Sequence, residues 1–272
     1  MTVSSVKPVD ARRVVVITGA SSGIGRSAAI EWGKRGARVV LSARNEAELA
    51  NVAAEVRRAG GEALVEPGDV TDETHRKAIV ARAEREYGGL DVLVNNAGRG
   101  YYAPARSIDA AELEALFALN VIAPLRLAQL ALPALERSKG TIVMLSSIAG
   151  VLVAPRMGAY AASKFALEAI AMALRAELAS EGVRVVVVRP GPVDTPFRAN
   201  AVTRDAPAGV RPKAAAVQTP DDVARQIVRA VEKGHDVVET TMFVRGASMI
   251  ARVLPPVFRR MTARMAARED ES

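Results

Sequence analysis

Short, continuously apolar runs alternate with helical stretches along most of this chain, and that alternation excludes most folds. RVVVIT (13–18), RVVLSA (38–43), EALVE (62–66), LDVLVN (90–95), GTIVMLSS (140–147) and VRVVVVRPG (183–191) are dominated by β-branched and aliphatic residues. Strands without a polar alternation are buried on both faces, which a parallel sheet between two helical layers provides. Helical sequence follows the first run to Arg35, and then fills NEAELANVAAEVRRAG, about 71–87, most of 108–137, and 158–181. Pro124 and Pro133 are expected to start or kink the long apolar stretch. TPDDVARQIVRAVEKG has Thr219 as N-cap, Pro220 at the first helical position and acids in the first turn, and HDVVETT supplies a last strand. The predicted fold is α/β: a single doubly wound parallel sheet with helices on both faces. Residues 1–242 form the predicted domain, and 243–272 a C-terminal helical extension packed on it.

Composition narrows the chemistry. The 272 residues include no cysteine and only two histidines, His75 and His235, in no metal-ligand spacing. Disulfides, thiol nucleophiles and thiolate metal sites are excluded, and a zinc mechanism or Ser-His-Asp triad is disfavoured. Catalysis would fall to Tyr, Lys, Ser, Asp or Glu. The net charge is +7, but basic residues interleave with acidic ones and aromatics make up 4%, so no nucleic-acid partner is expected. No run reaches the ~20 uncharged apolar residues of a membrane span, and the N-terminus has no apolar secretory core. The expected location is cytoplasmic.

TGASSGIG (18–25) directly follows the first strand and opens a helix. Gly19, Gly23 and Gly25 remove side chains where a backbone turns tightly and a diphosphate must approach helix-terminal N–H groups, with Ser21, Ser22 and Ile24 in the same turn. In YAASK, Tyr160 stands one helical turn ahead of Lys164. Two readings stay open on spacing alone. In one the lysine stem lies along the ring while its ammonium reaches water; in the other the ammonium holds down the phenol's pKa.

TGASSGIG, NNAG (95–98), SS (146–147), YAASK and PGPVDT (190–195) occur in the order and approximate spacing of the short-chain dehydrogenase/reductase family, which the chain resembles over about 12–242. The resemblance implies a Rossmann-type fold and NAD(P)-dependent interconversion of alcohols and carbonyls. It makes Tyr160 the general acid/base. A shift of roughly 3 units, or about 4 kcal/mol, would bring a phenol to neutrality, and one cation typically supplies about 1–3 of those units. It makes Lys164, together with the positive charge of the oxidised nicotinamide, the source of that shift, and Lys164 a ligand of the nicotinamide ribose as well. Ser147 becomes the donor to the substrate oxygen, with Ser146 pointing the other way. Asn120 becomes the holder of a relay water, although a buried asparagine at a helix irregularity would read alike. As cofactor seats it implies Asp69 and Val70 at the adenine, Asn95, Asn96, Ala97 and Gly98 behind the ribose, and Pro190, Gly191, Val193 and Thr195 at the nicotinamide. Arg44, after Ala43 at the end of the second strand, favours NADP(H) over NAD(H), because an acid there would repel a 2′-phosphate.

Loops at 99–105, at 147–158 and after Thr195 would shape the substrate pocket. Ile148, Val151, Leu152, Val153, Met157 and Phe197 make it apolar, and Arg99, Arg156 and Arg198 give it a solvated rim. The leading function is an NADPH-dependent carbonyl reductase or alcohol dehydrogenase acting on an apolar substrate, a ketone or aldehyde, with lipid- and steroid-like molecules included. The alternatives are a 3-oxoacyl-carrier reductase and a non-catalytic NADP-binding sensor. A homodimer or homotetramer is expected through the Gly158 helix and the helix holding Asn120. Between Arg245 and Arg268 there are six arginines and no acid, and Ile250, Val253, Leu254, Val257, Phe258, Met261 and Met265 recur at helical spacing. Pro255-Pro256 would divide this tail into two short helices. Three readings stand for it: a peripheral contact with an anionic membrane, a cover for the pocket, or a contact with a neighbouring subunit.

Overall fold

A computed structural model of the chain describes residues 13–204 and 217–253. Seven parallel strands form the central sheet: β1 (Val14–Thr18), β2 (Arg38–Ala43), β3 (Glu62–Pro67), β4 (Val92–Asn95), β6 (Thr141–Leu145), β7 (Arg184–Arg189) and β9 (Val237–Glu239), in the order β3-β2-β1-β4-β6-β7-β9. The chain leaves β1 toward β2 and β3, then crosses back to lay β4 on the other side of β1. That reversal opens a crevice at the carboxyl ends of β1 and β4, where doubly wound sheets hold their ligands.

The strand residues divide by parity, as a two-sided sheet demands. Val15 and Ile17 face a core shared with α1 (Gly23–Gly33), α2 (Glu46–Arg58) and α7 (Pro220–Lys233), where Trp32, Val52 and Ile227 are buried. Val14 and Val16 face the opposite core, built with α3 (Glu73–Tyr87), α5 (Ala123–Ser138) and α6 (Gly158–Glu177), where Ile79, Leu127 and Leu167 are buried. At the head of α7 the expected Thr219 N-cap forms, and it closes a capping box: Asp222 N–H donates to Thr219 Oγ1 at 3.1 Å, and Thr219 N–H to Asp222 Oδ2 at 3.4 Å.

Several details differ from the sequence reading. The helical sequence over 108–137 divides into α4 (Ala110–Phe117), a π-turn (Ala118–Ile122) and α5. Pro124 sits in the first turn of α5, where its missing N–H costs little, whereas Pro133 lies inside the helix without ending it. This Ala110–Ser138 stretch holds an 18-residue window of mean hydropathy 1.7, so one segment does have the length and composition of a membrane span. Part of that apolarity serves the core, where Leu127, Ala128, Ala131 and Leu135 are fully buried. The α6 helix stops at Glu177, ahead of the expected 181, and the chain turns through Gly182 at φ +78°. A two-stranded ribbon, β5 (Tyr101–Tyr102) with β8 (Val202–Thr203), was not anticipated. Beyond β9, α8 (Met242–Val253) begins the expected extension; Pro255-Pro256 and the second helix lie outside the described residues.

Candidate active site

The glycine turn lies in the crevice. Gly19 and Gly23 take positive φ, +64° and +52°, which side chains resist. A Cβ on Gly25 would come within 2.3 Å of Gly19 O, so the helix can meet the turn only without one. The second asparagine of NNAG clamps the turn: Asn96 Nδ2 donates to Thr18 O at 2.9 Å and to Gly19 O at 3.1 Å. Thr18 Oγ1 accepts from the Asn96 and Ala97 N–H groups, each at 3.1 Å. Asn95 is buried elsewhere, donating to Pro124 O at 3.2 Å, and ties β4 to α5.

Helices α2, α3, α4 and α7 carry side-chain caps from Asn45, Asp72, Asp109 and Thr219, with acids in their first turns. At α1 the N-cap is Ser22, which makes no side-chain cap bond, and no acid occupies the first turn. The helix dipole there stays available to an anion. Thr195 closes over the same turn, because a Cβ on Gly23 would touch Thr195 Cγ2 at 3.0 Å. Val193 forms a bridge to Gln218, and Gly191 N–H donates to Thr240 Oγ1 at 3.4 Å. Arg44 is exposed just past β2. Burial tends to raise the Asp69 carboxyl, but hydrogen bonds from Thr71 and the Arg44 charge hold it below its ordinary value. Val70 is buried beside it. The glycine turn and the uncapped helix suit the diphosphate of a dinucleotide.

The reacting groups meet at the head of α6. Tyr160, Lys164 and Asn120 are all buried. Ser147 caps a short 3-10 turn, accepting from Ala149 N–H at 3.1 Å, and its hydroxyl also hydrogen-bonds Tyr160. The Ser146 hydroxyl is buried away from Tyr160, near Gly150 and Glu168, as strand alternation implied. Asn120 stands in the π-turn and joins three segments: Oδ1 accepts from Arg99 N–H at 3.0 Å, and Nδ2 donates to Arg99 O at 3.0 Å and to Ser163 Oγ at 3.1 Å. Ser163 Oγ in turn donates to Tyr160 O at 2.7 Å. Both sequence readings of Asn120 thus name the same place, a helix irregularity beside the candidate acid. A Cβ on Gly98 would lie 3.1 Å from Asn120 Oδ1 and 3.7 Å from Lys164 Nζ, so these two polar atoms converge over a glycine.

The electrostatics correct one expectation. Burial pushes the Tyr160 phenol well above its ordinary value, the hydrogen bond with Ser147 opposes that, and the neighbouring Tyr102 adds to it. Burial, and not the Lys164 charge, sets the direction of the shift. The ammonium sits 5.9 Å from the ring centroid and donates to Leu145 O at 2.7 Å. Burial pulls Lys164 itself down to about 8, opposed by Glu168.

Glu168 and Arg189 were not singled out from sequence. Arg189, the last residue of β7, forms a buried two-point ion pair with Glu168, both contacts at 2.9 Å, and a third contact to Glu239 at 3.2 Å. This joins the helix carrying Tyr160 and Lys164 to the strand that delivers Pro190 and Gly191. The signal was present: Glu168 follows Lys164 by four residues in an otherwise apolar helix. Replacing Glu168 by Gln should lower the Lys164 midpoint below its value of about 8, measured by NMR with lysine 13C-labelled at Cε. Glu239→Gln, which touches Arg189 from the far side, should leave it in place. An unchanged midpoint in Glu168→Gln would break the electrostatic link.

Of the expected substrate residues, Phe197 and Met157 pack with Tyr160, the Phe197 ring centroid lying 5.8 Å from that of Tyr160. Ile148 and Leu152 line the loop between β6 and α6, closed by a Leu152 N–H to Ile148 O bond of 3.2 Å. Val151 is partly buried in that loop and Val153 is exposed. Arg99 is not a free rim cation: it pairs with Glu112 at 2.8 Å. Tyr101 and Tyr102 lie in the 99–105 loop expected to shape the pocket, though neither was singled out there, and Tyr101 is buried in the same cluster as Tyr160.

A family model described as short chain dehydrogenase matches residues 13–206. The Dehydrogenase/reductase SDR family member 7B of Danio rerio is 35% identical over 267 residues, covering 94% of this chain and 86% of the relative. A ketoacyl reductase of Nostoc sp. is 35% identical over 221 residues, covering 81% of this chain and 75% of the relative. Among solved structures, an alcohol dehydrogenase from the archaeon Thermococcus sibiricus complexed with 5-hydroxy-NADP superposes with a TM-score of 0.73 at 28% identity, over 84% of this chain and 94% of that one. A metagenomic short-chain oxidoreductase in complex with NADP gives a TM-score of 0.69 at 34% identity, with the same coverage of 84% and 94%.

Proposed function

Because the chain belongs to the short-chain dehydrogenase/reductase family, we propose that it is an NADP(H)-dependent oxidoreductase interconverting a carbonyl and an alcohol on an apolar substrate. The observation that carries this reading is the Tyr160–Ser147 hydroxyl pair at the head of α6, with Lys164 and Asn120 converging behind it. A bound nicotinamide supplies or accepts the hydride. The chain's own residues manage the oxygen and the proton. In reduction both hydroxyls donate to the carbonyl oxygen, and Tyr160 gives up its proton as negative charge gathers there. A phenol raised by burial enters that step protonated at neutral pH. The Lys164 ammonium, largely charged below about 8, is the nearby cation that favours the phenolate left behind and the source from which it is reprotonated.

Arg44 beside Ala43 supports the 2′-phosphate cofactor, as do the NADP complexes of the two structural relatives. Met157 and Phe197 against Tyr160 support an apolar substrate. The 3-oxoacyl reading draws on the ketoacyl reductase relative, and the sensor reading has to explain a complete set of Tyr160, Ser147, Lys164 and Asn120. A panel of ketones, aldehydes, quinones and hydroxylated lipids assayed with each cofactor tests the proposal. NADPH-linked turnover of apolar members is expected, and inertness across the panel would count against it.

The same reading includes a homodimer or homotetramer. Phe165 and Met172 stand seven residues apart on α6, and both are exposed, as is Ile122 at the end of the π-turn. Light scattering at micromolar concentration should give a dimer or larger, and Phe165→Glu with Met172→Glu should shift it toward monomer. A monomeric unmodified protein would contradict this interface.

A further inference from the structure

We propose that α8 docks the protein on an anionic lipid membrane, beside the candidate active site. The helix has two unlike faces. Its inner face is fixed to the site: Val244 and Ser248 are buried, and a Cβ on Gly191 would touch Val244 Cγ2 at 3.0 Å. Thr241 Oγ1 caps its start, accepting from Val244 N–H at 3.1 Å. The outer face is apolar and open to solvent, with Met242 79%, Phe243 68%, Met249 60%, Ile250 43% and Val253 69% exposed. Met242 with Met249 and Val253, and Phe243 with Ile250, fall on adjacent rows of one helical stripe. Five large apolar side chains on a three-turn helix form the kind of contiguous patch that soluble surfaces rarely leave uncovered.

Charge decides what covers it. Arg245 is exposed on the same helix, and Arg252, Arg259, Arg260, Arg264 and Arg268 follow in sequence with no acid before Glu269. A second copy offers the same arginine-rich sequence and no acid before Glu269 to complement it, which costs affinity. An apolar stripe with the exposed Arg245 beside it, in an arginine-rich sequence, instead matches the boundary between acyl chains and anionic headgroups. Docking there brings the Pro190–Gly191 turn close to the bilayer, so the substrate would be a carbonyl or alcohol that partitions into lipid. That last step rests on the oxidoreductase reading; the docking does not.

The test is co-sedimentation of the full chain with phosphatidylcholine vesicles, with and without phosphatidylserine, at low and high salt. The chain should pellet with the anionic vesicles at low salt, at least ~10-fold less with the neutral ones, and high salt should release part of it. Phe243→Ser, Met249→Ser and Ile250→Ser together should abolish pelleting while thermal unfolding stays as in the unmodified protein. No pelleting with anionic vesicles would overturn the proposal. So would a triple variant that pellets normally, or one that loses a subunit contact in light scattering, which would assign the face to a second copy. No arm uses turnover, so an inactive protein that still binds vesicles would fail the oxidoreductase reading and leave the docking intact.

Discussion

Tyr160→Phe is expected to bind cofactor normally and to lose turnover by at least ~100-fold, the usual scale for removing a general acid/base. The ring survives the change, so its packing against Phe197 at 5.8 Å and the rest of the buried cluster should persist. What disappears is the hydroxyl that bonds Ser147 and carries the proton. Lys164→Ala should damage both binding and turnover, because it removes the cation near the phenol and the donor that converges with Asn120 over Gly98. The separation is measurable: cofactor affinity by fluorescence titration, and rate by single turnover on a substrate from the panel. Near-normal turnover in Tyr160→Phe would remove the proton-transfer role.

The second large effect concerns the choice of cofactor. Two unit charges about 4 Å apart at an effective dielectric near 20 interact by about 4 kcal/mol before desolvation and salt reduce it, so a preference of roughly 10- to 1,000-fold for NADPH is reasonable. Arg44→Ala should raise KM for NADPH far more than for NADH. Ala43→Asp places a carboxylate at the end of β2, where it would accept ribose hydroxyls and repel a 2′-phosphate, and should reverse the preference. The Arg44 charge helps to hold the Asp69 carboxyl below its ordinary value, so the cation stands near the residue expected at the adenine. Equal catalytic efficiency of the unmodified protein with both cofactors would refute this role for Arg44.

The sheet was legible because its signal is local. Each buried strand announces itself by its own run of valines and isoleucines, and each of α2, α3 and α7 by a cap and a first-turn acid. The features that escaped depend on partners far along the chain. The β5–β8 ribbon pairs Tyr101 with Val202 through two-residue strands too short to leave a pattern. Arg99 reads as an exposed rim cation until Glu112 is brought beside it. Arg189 and Glu168 are 21 residues apart in sequence, and nothing local says they share one buried ion pair. The Tyr160 pKa was misjudged for a related reason. Spacing places Lys164 one turn away, but burial of the phenol depends on Tyr102, Phe197 and the loops above it, and burial proved the largest influence. Ser147 over Ser146 was readable, since a strand's alternation decides it once the strand's end is known.

Transfer of deuterium tests the central claim most directly. NADPH deuterated at its reactive nicotinamide carbon would be incubated with the enzyme and the best apolar ketone of the panel, and the product examined by mass spectrometry and NMR. The account predicts one deuterium on the carbinol carbon with the unmodified protein, and a rate lower by at least ~100-fold with Tyr160→Phe. Tight NADPH binding without deuterium in any product, across the whole panel, would contradict it and identify the chain as a cofactor-binding sensor.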